Sequence, residues 1–318
     1  MIKIDIKDDL YPEKLKKIDI PPKNLYLEGN IDLLNSPSIA IVGSRNCSEN
    51  GIRITAKFAT ELASSGITIL SGLALGIDSV AHRYSYDKKG KTIAILGCGF
   101  NKIFPKENIE LYEKIIKNDG LIVTEYPPDE EAKSSYFLER NRIVSALSLG
   151  VLIVEAFSRS GTSNTAKNAR KQGKEVFTVP HEIWDSRGVG TNRLLKQGAK
   201  LITDTSEILD ILKLTKYRNY YLKLKSDGIF DEFSHKPNYY IPKKEKNIEK
   251  ISASFPSFSD PKQAEIYNII RNRNSKSTIS ANDLAHITNY SINEILSILF
   301  LLEVNGVVKK TQGGYICV

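Results

Sequence analysis

Short apolar runs, most of them stopped by glycine or a polar residue, alternate along this chain with stretches in which apolar residues return every three or four positions. The runs fall at residues 39–42, 67–70, 92–96, 121–124, 151–154, 176–179 and 200–203. Between them lie helical patterns, such as Ile52, Ala56, Phe58, Ala59, Leu62 and Ala63 behind a start near Glu49, and the stretches at 109–116 and 143–149. A run that is apolar throughout predicts a strand covered on both faces, and strands alternating with helices predict a mostly parallel sheet. The fold class expected is therefore α/β, a doubly wound sheet spanning residues 36–212. Open sheets of this kind bind ligands outside the carboxyl ends of their strands.

The unusual residues gather at those ends. After the first run come Gly43, Ser44 and Arg45; after the second, Ser71 and Gly72, with Gly76 and Asp78 leading into a helix; after the third, Gly97 and Gly99. After the fifth come Ser160, Gly161 and Thr162, ahead of a helix expected near Asn164. A strand that turns through glycine into a helix points backbone N–H groups and the positive end of the helix dipole at one place, where an anion is stabilised. Arg45 adds a planar fork of donors matched to phosphate. Several such turns on one edge suit a ligand with several phosphates.

Phe137, Arg140 and Arg142 precede the fifth run. On a helix Phe137 and Arg140 share a face while Arg142 points away, so one arginine can line the ligand edge and the other support structure; both are counted among the candidate DNA contacts. An aromatic ring beside arginine is suited to stacking an unpaired base and holding its phosphate. Cofactor motifs fail on the letters. Gly43-Ser-Arg-Asn-Cys-Ser48 and Gly97-Cys-Gly-Phe-Asn-Lys102 lack glycines that a dinucleotide fingerprint needs, and no P-loop is present. No cofactor and no metal are expected. Of the four histidines, His82, on the helix after Asp78, is expected to order a loop or pair with that carboxylate; Trp184 is expected to be a packing anchor.

Length and charge refine this. The 318 residues suggest about two domains. A lead-in at 1–35, broken by Pro12, Pro21 and Pro22, precedes the sheet domain. Residues 213–258 read as a linker, ten basic against five acidic groups interleaved with tyrosines. Residues 259–318 read as three helices and a hairpin, a winged helix: Asp260-Pro261 starts a helix to Arg271, Ser280 caps a second, and Ser291 to Glu294 forms a capping box for a third, closed by Asn305-Gly306. That third helix carries no Lys or Arg, so reading of a specific duplex sequence is not expected. The net charge of +8 is consistent with a polyanionic partner. Three widely spaced cysteines and no apolar run near the ~20 residues of a bilayer span point to the cytoplasm.

Taken together, Ile41-Val-Gly-Ser-Arg45, Ser71-Gly-Leu-Ala74 with Gly76-Ile-Asp78, Gly97-Cys-Gly99 with Phe104-Pro105, Thr124-Glu-Tyr-Pro127, Phe137 with Arg140-Asn-Arg-Ile143, Ser160-Gly-Thr162 and Gly190-Thr-Asn192 resemble the DNA-processing protein A (DprA, or Smf) family. The resemblance implies an extended Rossmann-like fold that binds single-stranded DNA, forms homodimers and hands the strand to the RecA recombinase in natural transformation, without catalysis and away from membranes. It also implies that Gly43, Ser44, Arg45, Ser71, Gly72, Ser160, Gly161 and Thr162 hold phosphate, that Phe137 stacks a base and that Arg140 pairs with the DNA backbone. Two departures stand out: no separate helical domain is expected ahead of the lead-in, and His181 occupies a position where the family often has glycine. Two other readings suit the same sheet. One is a phosphoribohydrolase of the "lonely guy" group, whose loop glutamate is replaced here by Thr165; the other is a sensor of nucleotide-derived signals.

Overall fold

The computed structural model describes residues 1–86, 90–158, 160–230, 260–271, 278–288, 290–304, 307–311 and 314–317. The chain divides into two units, Met1–Ile241 and Pro242–Val318. The first unit is built on seven strands in the expected places: β3 (Ser38–Val42), β4 (Thr68–Ser71), β5 (Thr92–Ile95), β6 (Leu121–Thr124), β7 (Gly150–Ile153), β8 (Glu175–Thr178) and β9 (Lys200–Leu201). Their side chains are buried on both faces except at β9 and at Glu175, which opens β8, and this explains the unbroken apolar runs.

These seven strands are parallel to one another. The lead-in adds a hairpin, β1 (Ile2–Asp5) and β2 (Asn24–Gly29), whose β2 pairs antiparallel with β6. The lead-in thus extends the sheet, giving the order β1-β2-β6-β5-β4-β3-β7-β8-β9. The short helix α1 (Glu13–Lys16) lies between the two strands, and nearby Tyr11 is buried with its hydroxyl donating to Pro22 O.

From β3 the chain first winds one way, through α2 (Glu49–Ser64), β4, α3 (Ile77–Tyr86), β5, α4 (Ile109–Lys117) and β6. It then returns through α5 (Ser134–Leu147) to β7 on the other side of β3, and winds outward through α6 (Thr162–Lys171), β8, α7 (Val189–Lys196) and β9. The direction reverses between β3 and β7. A crevice outside the carboxyl ends of strands is expected at such a reversal.

Two helices close the first unit. Asp204 and Glu207 form a capping box at the start of α8 (Thr205–Ile211). Residues 215–226, inside the stretch read as a linker, form the helix α9 (Thr215–Ser226). Leu214, Tyr217, Tyr221 and Leu224 recur every three or four residues and pack in the apolar core that includes Phe58, Leu62 and Ile208. Tyr221 is fully buried, its hydroxyl shared by Glu61 and Asp204. The remainder of the linker stretch, from residue 231, lies outside the described residues.

The second unit holds α10 (Pro261–Arg271), α11 (Ala281–Thr288), α12 (Ile292–Val304) and the hairpin β10 (Val308–Thr311) with β11 (Gly314–Cys317). Its own core includes Ile266, Ile270, Leu284, Ile295, Leu299 and Val308. The expected caps form: Ser280 with Asp283, and Ser291 reciprocally with Glu294. The Asn305-Gly306 closure lies outside the described residues.

Candidate functional site

At the β3/β7 reversal the carboxyl ends of the strands border a cleft of about 710 Å³. Nine of the thirteen residues expected there line it: Gly43, Ser44, Arg45, Gly72, Phe137, Arg140, Ser160, Gly161 and Thr162. The turns after β3 and β7 meet directly, because Thr162 Oγ1 donates to Gly43 O at 3.3 Å. Gly43 is required by close packing, since a Cβ there would come within 2.6 Å of Ile77.

The helix ends behind these turns are not equivalent. Ser48 caps α2 by accepting from Gly51 N, and the buried carboxylate of Glu155 accepts from both Ser48 N and Ser48 Oγ. Gly51 leaves room for that carboxylate, which a Cβ would approach to 2.5 Å. The positive end of the α2 dipole is therefore satisfied from within the protein, contrary to the expectation of an open anion site at that helix. Near α3 the carboxylate of Asp78 similarly accepts from Gly72 N at 3.1 Å. The start of α6 differs: no side chain caps it, its first turn has no acid, and the buried Ser160 Oγ has no hydrogen-bond partner. The start of α5, where Ser134 lines the cleft, likewise lacks a side-chain cap and a first-turn acid. These two helix ends keep the capacity to stabilise an anion in the cleft.

Arg140 forms part of the cleft floor and is only 4% exposed. Its Nη1 donates to Ile95 O, and its Nε is buried without a partner. The guanidinium lies over Gly72, where a Cβ would sit 1.8 Å from Nη1, so only glycine permits the arrangement. Burial pulls the Arg140 pKa down while the charge of Asp78 pulls it up; burial pushes the Asp78 carboxyl up, opposed by Arg140. His82 accepts at Nε2 from Leu73 N and bonds through Nδ1 to Thr92 Oγ1 at 2.7 Å. Burial, with Arg140 nearby, holds its pKa down at about 3. His82 is thus a neutral brace for the loop after β4, and it does not pair with Asp78.

Above this floor stands an aromatic shelf. Phe137 faces Phe104 with ring centroids 5.6 Å apart, and the Arg45 guanidinium lies 5.3 Å from the Phe137 ring centre. Phe104 is 47% exposed, and Arg45 is exposed as well. The shelf can offer a planar base two ring faces and a phosphate one exposed cation. Phe104 was not among the expected site residues. A phenylalanine beside proline reads as packing, and only its exposure marks it out.

Four expected residues do not line the cleft. Ser71 is fully buried and spends its hydroxyl on Ile41 O at 2.7 Å. Gly97 supports the Phe137 ring, which a Cβ would approach to 2.9 Å. Gly99 packs against the Pro127 and Pro128 carbonyls and donates to Glu130 O. Arg142 points away, forming two 2.6 Å bonds to the Glu125 carboxylate and a third to Ile20 O, so it ties α5 to the lead-in. Trp184 corrects another expectation: it is 89% exposed and anchors no core. Among the described residues no group of three His, Cys, Asp or Glu side chains could hold a metal ion, and no helix is long and apolar enough to cross a membrane.

Residues 3–213 match the family model for DNA recombination-mediator protein A. Over 204 residues the chain is 41% identical to DNA processing protein DprA of Streptococcus pneumoniae, covering 64% of this chain and 72% of that protein. It is 42% identical over 210 residues to protein Smf of Escherichia coli, covering 66% of this chain and only 56% of that relative. The crystal structure of the S. pneumoniae protein superposes with a TM-score of 0.63 at 39% identity, over 66% of this chain and 73% of that one. DNA processing protein A from Helicobacter pylori, solved for its single-stranded DNA binding mode, gives 0.59 at 32% identity, over 71% and 96%. With two thirds of its length matched and the same sheet, this chain belongs to the DNA recombination-mediator protein A family, known as DprA or Smf.

Proposed function

We propose that this protein is a non-catalytic single-stranded DNA-binding protein of recombination, which holds a strand along the cleft and passes it to a RecA-type recombinase. The observation that carries the reading is the shelf of exposed Phe104 and Arg45 with half-buried Phe137, beside two helix ends that lack side-chain caps. Stacking platforms next to backbone-facing cations are what sequence-tolerant single-strand binding needs. The H. pylori relative, with its single-stranded DNA binding mode, supports the choice of ligand. Asp78, the one carboxylate among the described residues lining the cleft, already accepts a backbone hydrogen bond, as does Glu155 at the start of α2. Thr165, where the related hydrolases place their glutamate, lines the cleft with a hydroxyl that cannot serve as their acid–base. A homodimer working in the cytoplasm belongs to the same reading.

The test is a titration of labelled oligo(dT) by fluorescence anisotropy at several salt concentrations. Wild type binds with a log–log salt slope of about −0.7 for each phosphate contacted. Arg45→Glu loses most of that binding; an Arg45→Glu variant that holds the strand as well as wild type would overturn the proposal. A small nucleotide ligand is the second reading, because 710 Å³ falls within the usual size of such sites. It predicts that a nucleotide displaces the oligonucleotide at comparable concentration, whereas a polymer site releases it only to another strand.

A further inference from the structure

A second concavity, of about 420 Å³, lies between α6 and α7. Its walls carry Lys167, Arg170, Lys171 and Arg193, and no carboxylate is among its lining residues. Residues 167, 170 and 171 fall on one face of α6. The two arginines are held by neutral oxygens. Arg170 donates to Gln197 Oε1 at 3.1 Å and to Leu194 O at 3.3 Å, and Arg193 donates to Ser158 O. Among the described residues the one acid within ion-pair distance of these four cations is Asp19, 3.8 Å from Lys171 with both side chains exposed, a contact of little energetic weight.

The groove neighbours the cleft along α6, which gives Thr162 and Thr165 to the cleft and Ser163 and Ala166 to the groove. Arg193 reaches the loop that leads from β7 to Ser160, and Ser163, one residue past the cleft-lining Thr162, lines the groove. From Ser163 to Lys171 the helix rises about 12 Å at roughly 1.5 Å per residue.

We propose that the groove is a second phosphate track: a strand seated in the cleft crosses the first turn of α6 and lays its backbone between α6 and α7. The inference rests on the single-strand reading of the cleft. No aromatic ring is among the lining residues, so this track holds phosphate and stacks no base. Its contribution is electrostatic and indifferent to sequence. An acidic protein face is the competing occupant, and it is an outcome of the test.

The experiment uses the full chain and the double variant Lys167→Gln, Lys171→Gln. Both positions are exposed, and glutamine matches lysine in helix propensity, so the fold is retained. Two oligo(dT) probes are titrated across a salt series, one of about 5 nucleotides that fills the cleft alone and one of about 30 that reaches beyond it. The short probe binds the variant as it binds wild type. The long probe binds about tenfold more weakly, and its salt slope is shallower by about 1.4, the share of two phosphates at roughly 0.7 each. A wild-type slope and affinity for the long probe would overturn the track and leave the groove to a protein partner. Equal losses for both probes would also overturn it. If the short probe fails to bind even wild type, the cleft reading itself falls.

Discussion

Removing one ring separates stacking from charge in the cleft. Phe137 is half-buried, its ring resting on Gly97 and flanked by Phe104 and Arg45. Phe137→Ala deletes the stacking of one base, which is worth about 1–3 kcal/mol by alanine substitution. It also strips Arg45 of its ring partner, a loss of about 0.5–1 kcal/mol at an exposed site. Together these weaken oligo(dT) binding by roughly 10- to 700-fold, since about 1.4 kcal/mol is a factor of ten. No phosphate contact is removed, so the salt slope keeps its wild-type value. Arg45→Gln behaves oppositely: its slope becomes shallower by about 0.7. Anisotropy titrations across a salt series read both quantities, and thermal melting run alongside checks the fold. An unchanged Kd for Phe137→Ala, or a shallower slope with it, would refute the assignment of stacking to that ring.

Other outcomes follow from the same geometry. Gly72→Ala forces the Arg140 guanidinium off Ile95 O, a charged hydrogen bond worth about 1.5–3 kcal/mol, and melting should fall by roughly 4–10 °C. Arg142→Gln leaves the half-buried Glu125 carboxylate without its partner and destabilises by about 2 kcal/mol, while oligonucleotide affinity of the folded variant stays at the wild-type value; lost affinity there would place Arg142 in the site after all. His82 has a folded pKa near 3 against an unfolded value of about 6.5, so the unfolded chain binds the extra proton between them and stability falls as pH drops through that window. At pH 5 the loss is about 2 kcal/mol, and chemical denaturation at pH 7 and pH 5 should show this component missing from His82→Gln.

The sheet could be read from the letters because strands buried on both faces leave an unbroken apolar signature, and its reversal between β3 and β7 follows once the order of the strands is known. The helix α9 was also written in its stripe of Leu214, Tyr217, Tyr221 and Leu224, but frequent lysines and tyrosines made that segment look like a tether. The difference between Arg140 and Arg142 lay partly in helical phase. Their roles depend on partners far away in sequence, Ile95 for one and Glu125 with Ile20 for the other. The occupation of the α2 terminus was hidden for the same reason, since Glu155 stands 107 residues from Ser48. Glycines at strand ends carried a mixed signal. Gly43 and Gly72 border the cleft, whereas Gly97 and Gly99 make room for a ring and for two carbonyls. Trp184 failed as a core residue because a large ring in a loop has no periodicity to say which way it faces.

The claim on which the rest depends is where the strand lies. Photochemical cross-linking of an iodouracil-substituted oligonucleotide to the full chain, followed by peptide mass spectrometry, locates it directly. The account predicts adducts on Phe104 and Phe137, abolished when both are replaced by leucine while the protein still melts cooperatively. Adducts confined to the second unit, or spread over the first with those two rings untouched, would contradict it.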